Sequence, residues 1–174
     1  DEIKETFEKA KQVLTTIWKE GYDLLFFNAK FDLSICRDHF NLDVPNYSRI
    51  HDAMILLYLT DPHGRSLGLK PAAESILGVL PEGRDAMGAY LFENRLDLNK
   101  TYNISISKSG SSVSNPSKWT AYVPADIAGA YAIADVDMTL GLFKRLYKEV
   151  LDLGMLKAYT LEREVLPIFM DNEK

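Results

Sequence analysis

Tyr22-Asp23-Leu24-Leu25-Phe26-Phe27-Asn28-Ala29-Lys30-Phe31-Asp32 reads as a buried strand that turns directly into a helix. The run from Tyr22 to Phe27 is short and apolar, as a strand covered on both faces must be. Asn28 is a good helix N-cap residue, and Asp32 falls in the first helical turn, where the dipole favours negative charge. Open α/β sheets place ligand sites at the carboxyl ends of their strands, which is where this turn lies. Each residue also has an ordinary structural use: a cap, a dipole partner and, for Phe31, a place in the core.

Upstream, Ile3, Phe7, Ala10, Leu14 and Ile17 recur at helical spacing and predict an amphipathic helix over 3–20, ended by Gly21. Downstream, a second helix begins near Phe31, Ser48 to His51 suit a short strand, and Asp52 to Leu59 a helix. Asp61-Pro62-His63-Gly64 is a turn by composition. Pro71 fits the first turn of a helix that runs to Leu77 and closes at Gly78, and a further helix covers Arg84 to Leu96.

From Asp97 to Val123 the periodicity fails. Seven serines from Ser105 to Ser117, with Gly110 and Pro116 among them, predict a long flexible loop. Within it Tyr102, Ile104 and Ile106 alternate with polar residues, as a marginal hairpin would. Pro124 opens a long helix to Leu153, stopped by Gly154, and a last helix runs from Leu156 to Phe169. Strand and helix alternate early and helices dominate later, an α/β layout with a helical C-terminal half.

The 174 residues suit one domain with a sizeable core, and 47% hydrophobic with 26% charged residues is ordinary for a soluble globular protein. No apolar run reaches the roughly 18 residues of a membrane span, so no membrane partner is expected. The charged N-terminus does not resemble a signal peptide. Cys36 is the only cysteine, which rules out an intrachain disulfide and a cysteine-based zinc site and points to a reducing, cytoplasmic setting. A net charge of −5 and a pI near 5.2 argue against wrapping duplex DNA on a broad basic face. They leave room for a site that grips a few nucleotides through metals and a handful of donors.

A second segment, Tyr131-Ala132-Ile133-Ala134-Asp135, lies on the long helix. Tyr131 and Asp135 are four apart and share one face. A phenol and a carboxylate so placed can orient a water and hold a divalent cation. Asp137 points elsewhere as a solvated charge. Thr139, Leu142 and Leu146 continue the Asp135 stripe, so this face is buried, and a carboxylate at its head needs a metal, an arginine or a lysine as partner. His51 and His63 have no companion at metal-ligand spacing and read as turn or core residues. Asn99-Lys100-Thr101 and Asn103-Ile104-Ser105 match glycosylation sequons, with nothing else to suggest secretion. Lys100, Lys108 and Lys118 read as scattered charges of a solvated loop rather than a track for a DNA backbone.

Taken in order, Asn-x-x-Phe-Asp after a strand and Tyr-x-x-x-Asp on a helix about a hundred residues later resemble the second and third motifs of DEDD-type 3′–5′ exonucleases. Tyrosine in the third motif marks the tyrosine subclass. His51-Asp52-Ala53-Met54 and the stretch Leu69-Lys70-Pro71-Ala72-Ala73-Glu74-Ser75-Ile76-Leu77-Gly78 are similar to the linking region of the proofreading domain in family A DNA polymerases. Tyr131 to Leu140 is close to that family's third motif, and Tyr159 through Pro167 to the helix leading into the polymerase. The resemblance covers roughly four-fifths of the chain. The serine-rich segment from about Asn99 to Trp119 stands outside it, as an insertion reminiscent of phage-type members.

The resemblance implies a ribonuclease H-like α/β exonuclease fold, a mixed sheet flanked by helices. It implies an exonuclease domain over residues 1–153 and, from 154 to 174, the start of a connection to a C-terminal polymerase domain in a bacterial or phage-infected cell. By the same resemblance Asp32 and Asp135 would hold Mg²⁺ or Mn²⁺, Tyr131 would position the attacking water, Asn28 and Phe31 would bind the terminal nucleotide, and Arg65 would touch a phosphate. The chemistry implied is in-line attack on the 3′-terminal phosphodiester of single-stranded DNA between two cations about 3.5–4 Å apart, releasing a nucleoside monophosphate.

The family's first motif, Asp-x-Glu on an opening strand, is not found ahead of Asn28. The expectation is therefore an N-terminally truncated domain that lacks its first strands and is inactive, or nearly so, by itself. The rival readings are a ribonuclease D-like exoribonuclease and a non-catalytic exonuclease fold kept for DNA binding or scaffolding.

Overall fold

The computed structural model describes residues 2–64, 66–79 and 82–172. Helix α1 (Glu2–Glu20) ends at Gly21, whose φ of 75° is a left-handed conformation that glycine adopts without strain. Strand β1 is Leu24–Phe26, narrower than the Tyr22–Phe27 expectation, and it runs parallel to β2 (Ile50–Asp52) with Phe26 opposite Asp52. Helix α2 (Ala29–Phe40) joins them. The second strand begins later than Ser48 because Tyr47–Arg49 form a 3₁₀ turn, in which the Asn46 side chain accepts the Ser48 N–H at 2.9 Å. Arg49 then reaches back, donating to the Tyr22 carbonyl at 2.7 Å and to the Trp18 carbonyl at 3.2 Å. It thereby caps the C-terminal end of α1.

Helix α3 (Ala53–Thr60) starts directly from β2, and α4 (Leu69–Ala72) continues into a single π turn, Ala73–Leu77, closed by Gly78. Helix α5 (Glu82–Tyr102), α6 (Ala125–Asp152) and α7 (Leu156–Asn172) complete the helical half. No described helix is long and apolar enough to cross a membrane. The sheet is smaller than the mixed sheet expected: a parallel pair β1–β2, and a separate antiparallel pair β3 (Lys108–Ser109) and β4 (Ser112–Val113).

Three cores hold these elements. Phe26 and Phe27 face opposite ways, as neighbours on a strand must. Phe26 packs with Ala29, Leu33, Ile50, Leu166 and Met170 between α2, β2 and α7. Phe27 packs against the largest core, where α3, α6 and Tyr159 of α7 meet. Gly141 lets α6 close on the π turn, since a Cβ there would stand 2.9 Å from Leu77 Cδ1. That approach carries α4 alongside the N-terminal half of α6.

The third core corrects the expected loop over 97–123. Helix α5 continues to Tyr102 because Leu98 is buried against Ile106, Val113 and Val123. Asn103, at φ 52°, turns the chain, and the Asn99 side chain accepts the Ile106 N–H at 2.7 Å. The marginal hairpin expected at Tyr102–Ile106 falls instead at 108–113, and Pro116–Tyr122 form a 3₁₀ helix. Trp119 and Tyr122 pack on the same core as Tyr131. Among the serines, Ile106, Val113 and Val123 are the buried residues that fasten this segment to Met87, Leu91 and Leu98 of α5.

Candidate functional site

The first candidate segment is the turn after β1. Asn28 occupies the N-cap position of α2 but sits in the left-handed region, φ 70°, and its side chain makes no cap hydrogen bond. The cap comes from across the sheet. Asp52, only 2% exposed, accepts the Asn28 N–H at 3.0 Å and the Ala29 N–H at 2.7 Å. It also accepts the Met54 N–H at 2.9 Å, so one carboxylate caps both α2 and α3. Burial pushes the Asp52 pKa up, against the pull of those backbone donors. Asp32 stands within reach of that charge: burial first, and then the Asp52 carboxylate, raise its pKa as well. The Cys36 thiol is raised too, by burial and then by Asp32, which keeps it protonated and inert. Phe31 is 63% exposed, not core.

The second candidate segment is on α6. Tyr131 and Asp135 line one cavity of about 420 Å³ together with Lys70 of α4. Lys70 Nζ lies 3.7 Å from Asp135 Oδ1 and 3.8 Å from the centre of the Tyr131 ring. The buried carboxylate of the stripe has thus found a lysine. The lysine neutralises it without hydrogen bonding, and Asp135 Oδ1 is a buried oxygen with no hydrogen-bond partner. Thr139, one turn on, is buried and spends its hydroxyl on the Asp135 carbonyl at 2.7 Å.

An acceptor held out of water without a donor is costly, and a cation is the partner that would satisfy it. The residues present fit one carboxylate ligand of such an ion. Among the described residues no three His, Cys, Asp or Glu side chains cluster closely enough to hold a metal. Phe27, next to the Asn28–Asp32 turn, and Met138, one turn beyond Asp135, pack in the same core, whereas neither Asn28 nor Asp32 is among the residues that line the Tyr131–Asp135 cavity. Arg65 lies outside the described residues.

Sequence reasoning passed over Asp52, Lys70 and Tyr159. Asp52 had a signal, because an aspartate between a strand and an apolar helix is an N-cap pattern. Lys70 had none. Tyr159 is fully buried, and its hydroxyl accepts the Asp52 N–H at 3.2 Å and lies 3.3 Å from His51 Nδ1. Its pKa is pushed up to about 12, chiefly by burial. Arg163 of α7 donates to the Tyr47 and Ser48 carbonyls at 3.0 and 2.7 Å, so α7 pins both ends of β2.

His51 is enclosed by Phe143, Tyr147 and Tyr159. Burial, and then the Arg163 charge, lower its pKa. The folded state therefore prefers the neutral ring. Its contribution is complete above about pH 6.5 and is lost as pH falls through the folded value. Between pH 7 and 5 the wild-type Tm should fall relative to that of His51→Phe, a comparison that thermal scans of both proteins at each pH would make.

A family model described as 3′–5′ exonuclease, of the family A DNA polymerases, matches residues 2–151. No curated protein and no solved structure matches the chain.

Proposed function

The chain belongs to the 3′–5′ exonuclease family of the family A DNA polymerases, and we propose that it serves as a proofreading domain, acting on the single-stranded 3′ end of DNA and releasing nucleoside monophosphates. Frayed, mismatched termini would be selected because they unpair at lower cost. One observation carries this reading: the buried Asp135 Oδ1 without a hydrogen-bond donor, one turn from Tyr131 in a cavity open to a ligand.

Asp135 and Asp32 are the oxygen donors for Mg²⁺ or Mn²⁺, hard cations that suit carboxylates. Such ions supply an acidified water and a clamp on phosphate charge. Tyr131 offers its hydroxyl to orient the attacking water. Its ring is steadied by the Lys70 cation on one face and by the insertion's core beside it. Asn28 presents an amide not spent on capping, and Phe31 an exposed ring, for the last nucleotide. Arg65 is assigned to a phosphate. Asp52 touches no reacting atom; it positions the turn that carries Asn28 and Asp32.

No Asp-x-Glu pair lies on a described strand, so the 174-residue chain alone is expected to be inactive or nearly so. The test uses the natural full-length polypeptide with matched 5′-labelled DNA and RNA single strands. Mg²⁺-dependent shortening from the 3′ end, faster on DNA and abolished by EDTA, is the expected result. Faster cleavage of RNA would favour the ribonuclease D-like alternative. Binding without cleavage of either strand would favour a non-catalytic module, and vigorous shortening by the 174-residue chain would overturn the expectation of inactivity.

A further inference from the structure

The serine-rich segment over 97–123 contributes to the lining of the candidate catalytic cavity. Asn115, Pro116 and Ser117 line it together with Lys70, Tyr131 and Asp135. Sequence alone gives no hint of this, because the segment reads as a serine-rich loop. Its anchoring is apolar: Ile106, Val113 and Val123 are buried with Met87 and Leu91 of α5, and Tyr131 packs on the same cluster. Met87 lines the cavity as well, and Thr120 of the insertion touches its sulfur at 3.8 Å. The insertion's interior and the tyrosine of the site are therefore one packed unit.

At the rim of that unit the backbone is set for contact. Asn115 adopts φ 49°, a left-handed conformation that asparagine tolerates, and Pro116 follows at the start of the 3₁₀ helix. The Asn115 side chain makes no cap hydrogen bond to that helix, and Asn115 and Ser117 are exposed. The lining thus includes an amide and a hydroxyl together with a cation, a phenol and a carboxylate. A nucleoside monophosphate unit presents the complementary set: an anionic phosphate, a sugar hydroxyl and a base edge with donors and acceptors. A cavity of about 420 Å³ is within the range of small-ligand sites.

We infer that Asn115 and Ser117 bind the sugar or base edge of the 3′-terminal nucleotide, so that the insertion sets how tightly this enzyme holds a strand end. The inference rests on the exonuclease reading of the cavity and goes beyond it by assigning the insertion a substrate contact. These are binding residues, and no proton or bond is moved by them.

The test measures binding by the 174-residue chain in EDTA, with dTMP and with a 5′-fluorescein octathymidylate followed by anisotropy. The Asn115→Gly/Ser117→Ala double variant, in which glycine keeps the left-handed backbone, should weaken both ligands about tenfold, the loss of two modest hydrogen bonds. Asn115→Asp, which keeps the left-handed backbone but adds a negative charge, should weaken them further. Ser105→Ala/Ser107→Ala, elsewhere in the insertion, should leave both affinities unchanged, and all variants should keep the wild-type Tm. Unchanged binding in the double variant, with binding lost in Tyr131→Ala, would overturn this inference alone. Unchanged binding in both, or no binding by the wild-type chain, would overturn the exonuclease reading of the cavity. Equal weakening toward a circular single strand, which has no 3′ end, would show that the insertion holds strand bodies and would also overturn the inference.

Discussion

Asp135→Ala in the natural full-length polypeptide is expected to lower exonuclease turnover by about 10³-fold or more, while leaving the melting temperature unchanged or slightly raised. A metal-ligating carboxylate accounts for several kcal/mol of transition-state stabilisation, and each 1.36 kcal/mol is a factor of ten in rate. The stability side follows from the hydrogen-bond map. Asp135 Oδ1 is buried and accepts nothing, so its removal leaves no donor orphaned. Lys70 loses its counter-ion but keeps the face of Tyr131 at 3.8 Å. Lys70→Met supplies the opposite control, because it strands the carboxylate. The two side chains retain 15% and 29% exposure, so the cost is well below that of a fully buried pair, about 1–2 kcal/mol, or roughly 3–6 °C in Tm. Mn²⁺ should restore part of that loss by mass action. Activity assays and thermal scans on the same preparations check all three statements. If Asp135→Ala kept its activity, or melted far below wild type, Asp135 would be a structural ion-pair partner and not a ligand.

The gross layout was readable because its signals are local. The apolar run before Asn28, the helical spacing in α1 and the Gly21, Gly78 and Gly154 stops depend on residues a few positions apart. Tyr131 and Asp135 share a face by helical geometry alone, and the structure puts them in one cavity. What stayed hidden depends on partners far apart in sequence. Nothing near Lys70 says that it will meet Asp135, and nothing near Asn28 says that Asp52 will do its capping. Phe31 looked like core because apolar residues usually are, yet no described element covers it. In the insertion, serine content suggested disorder, while Ile106, Val113, Trp119 and Val123 were the informative residues. Composition averaged over that window concealed the pattern that folds it.

Asp52→Ala should be the most destabilising single change in the site, lowering stability by about 3–4 kcal/mol and Tm by roughly 10 °C. Its two oxygens accept three backbone N–H groups, from Asn28, Ala29 and Met54, at the starts of two helices. Alanine leaves all three donors without that acceptor, in a place closed to water. The relief of a buried charge offsets part of this, since burial holds the Asp52 pKa above its ordinary value. That offset has a pH signature. A raised folded pKa means that the stabilising contribution is complete below about pH 3.8 and declines as pH rises through the folded value. The gap between wild type and Asp52→Ala should therefore narrow, not widen, from pH 4 toward neutrality. Tyr159→Phe should echo the effect at about 1 kcal/mol, because its hydroxyl accepts the Asp52 N–H. In both variants the Asn28–Asp32 turn loosens, so substrate affinity should fall before the fold is lost. Denaturant titrations of the two variants across that pH range would separate the outcomes. Wild-type stability in Asp52→Ala would mean that the turn after β1 is held by its own residues and not by Asp52.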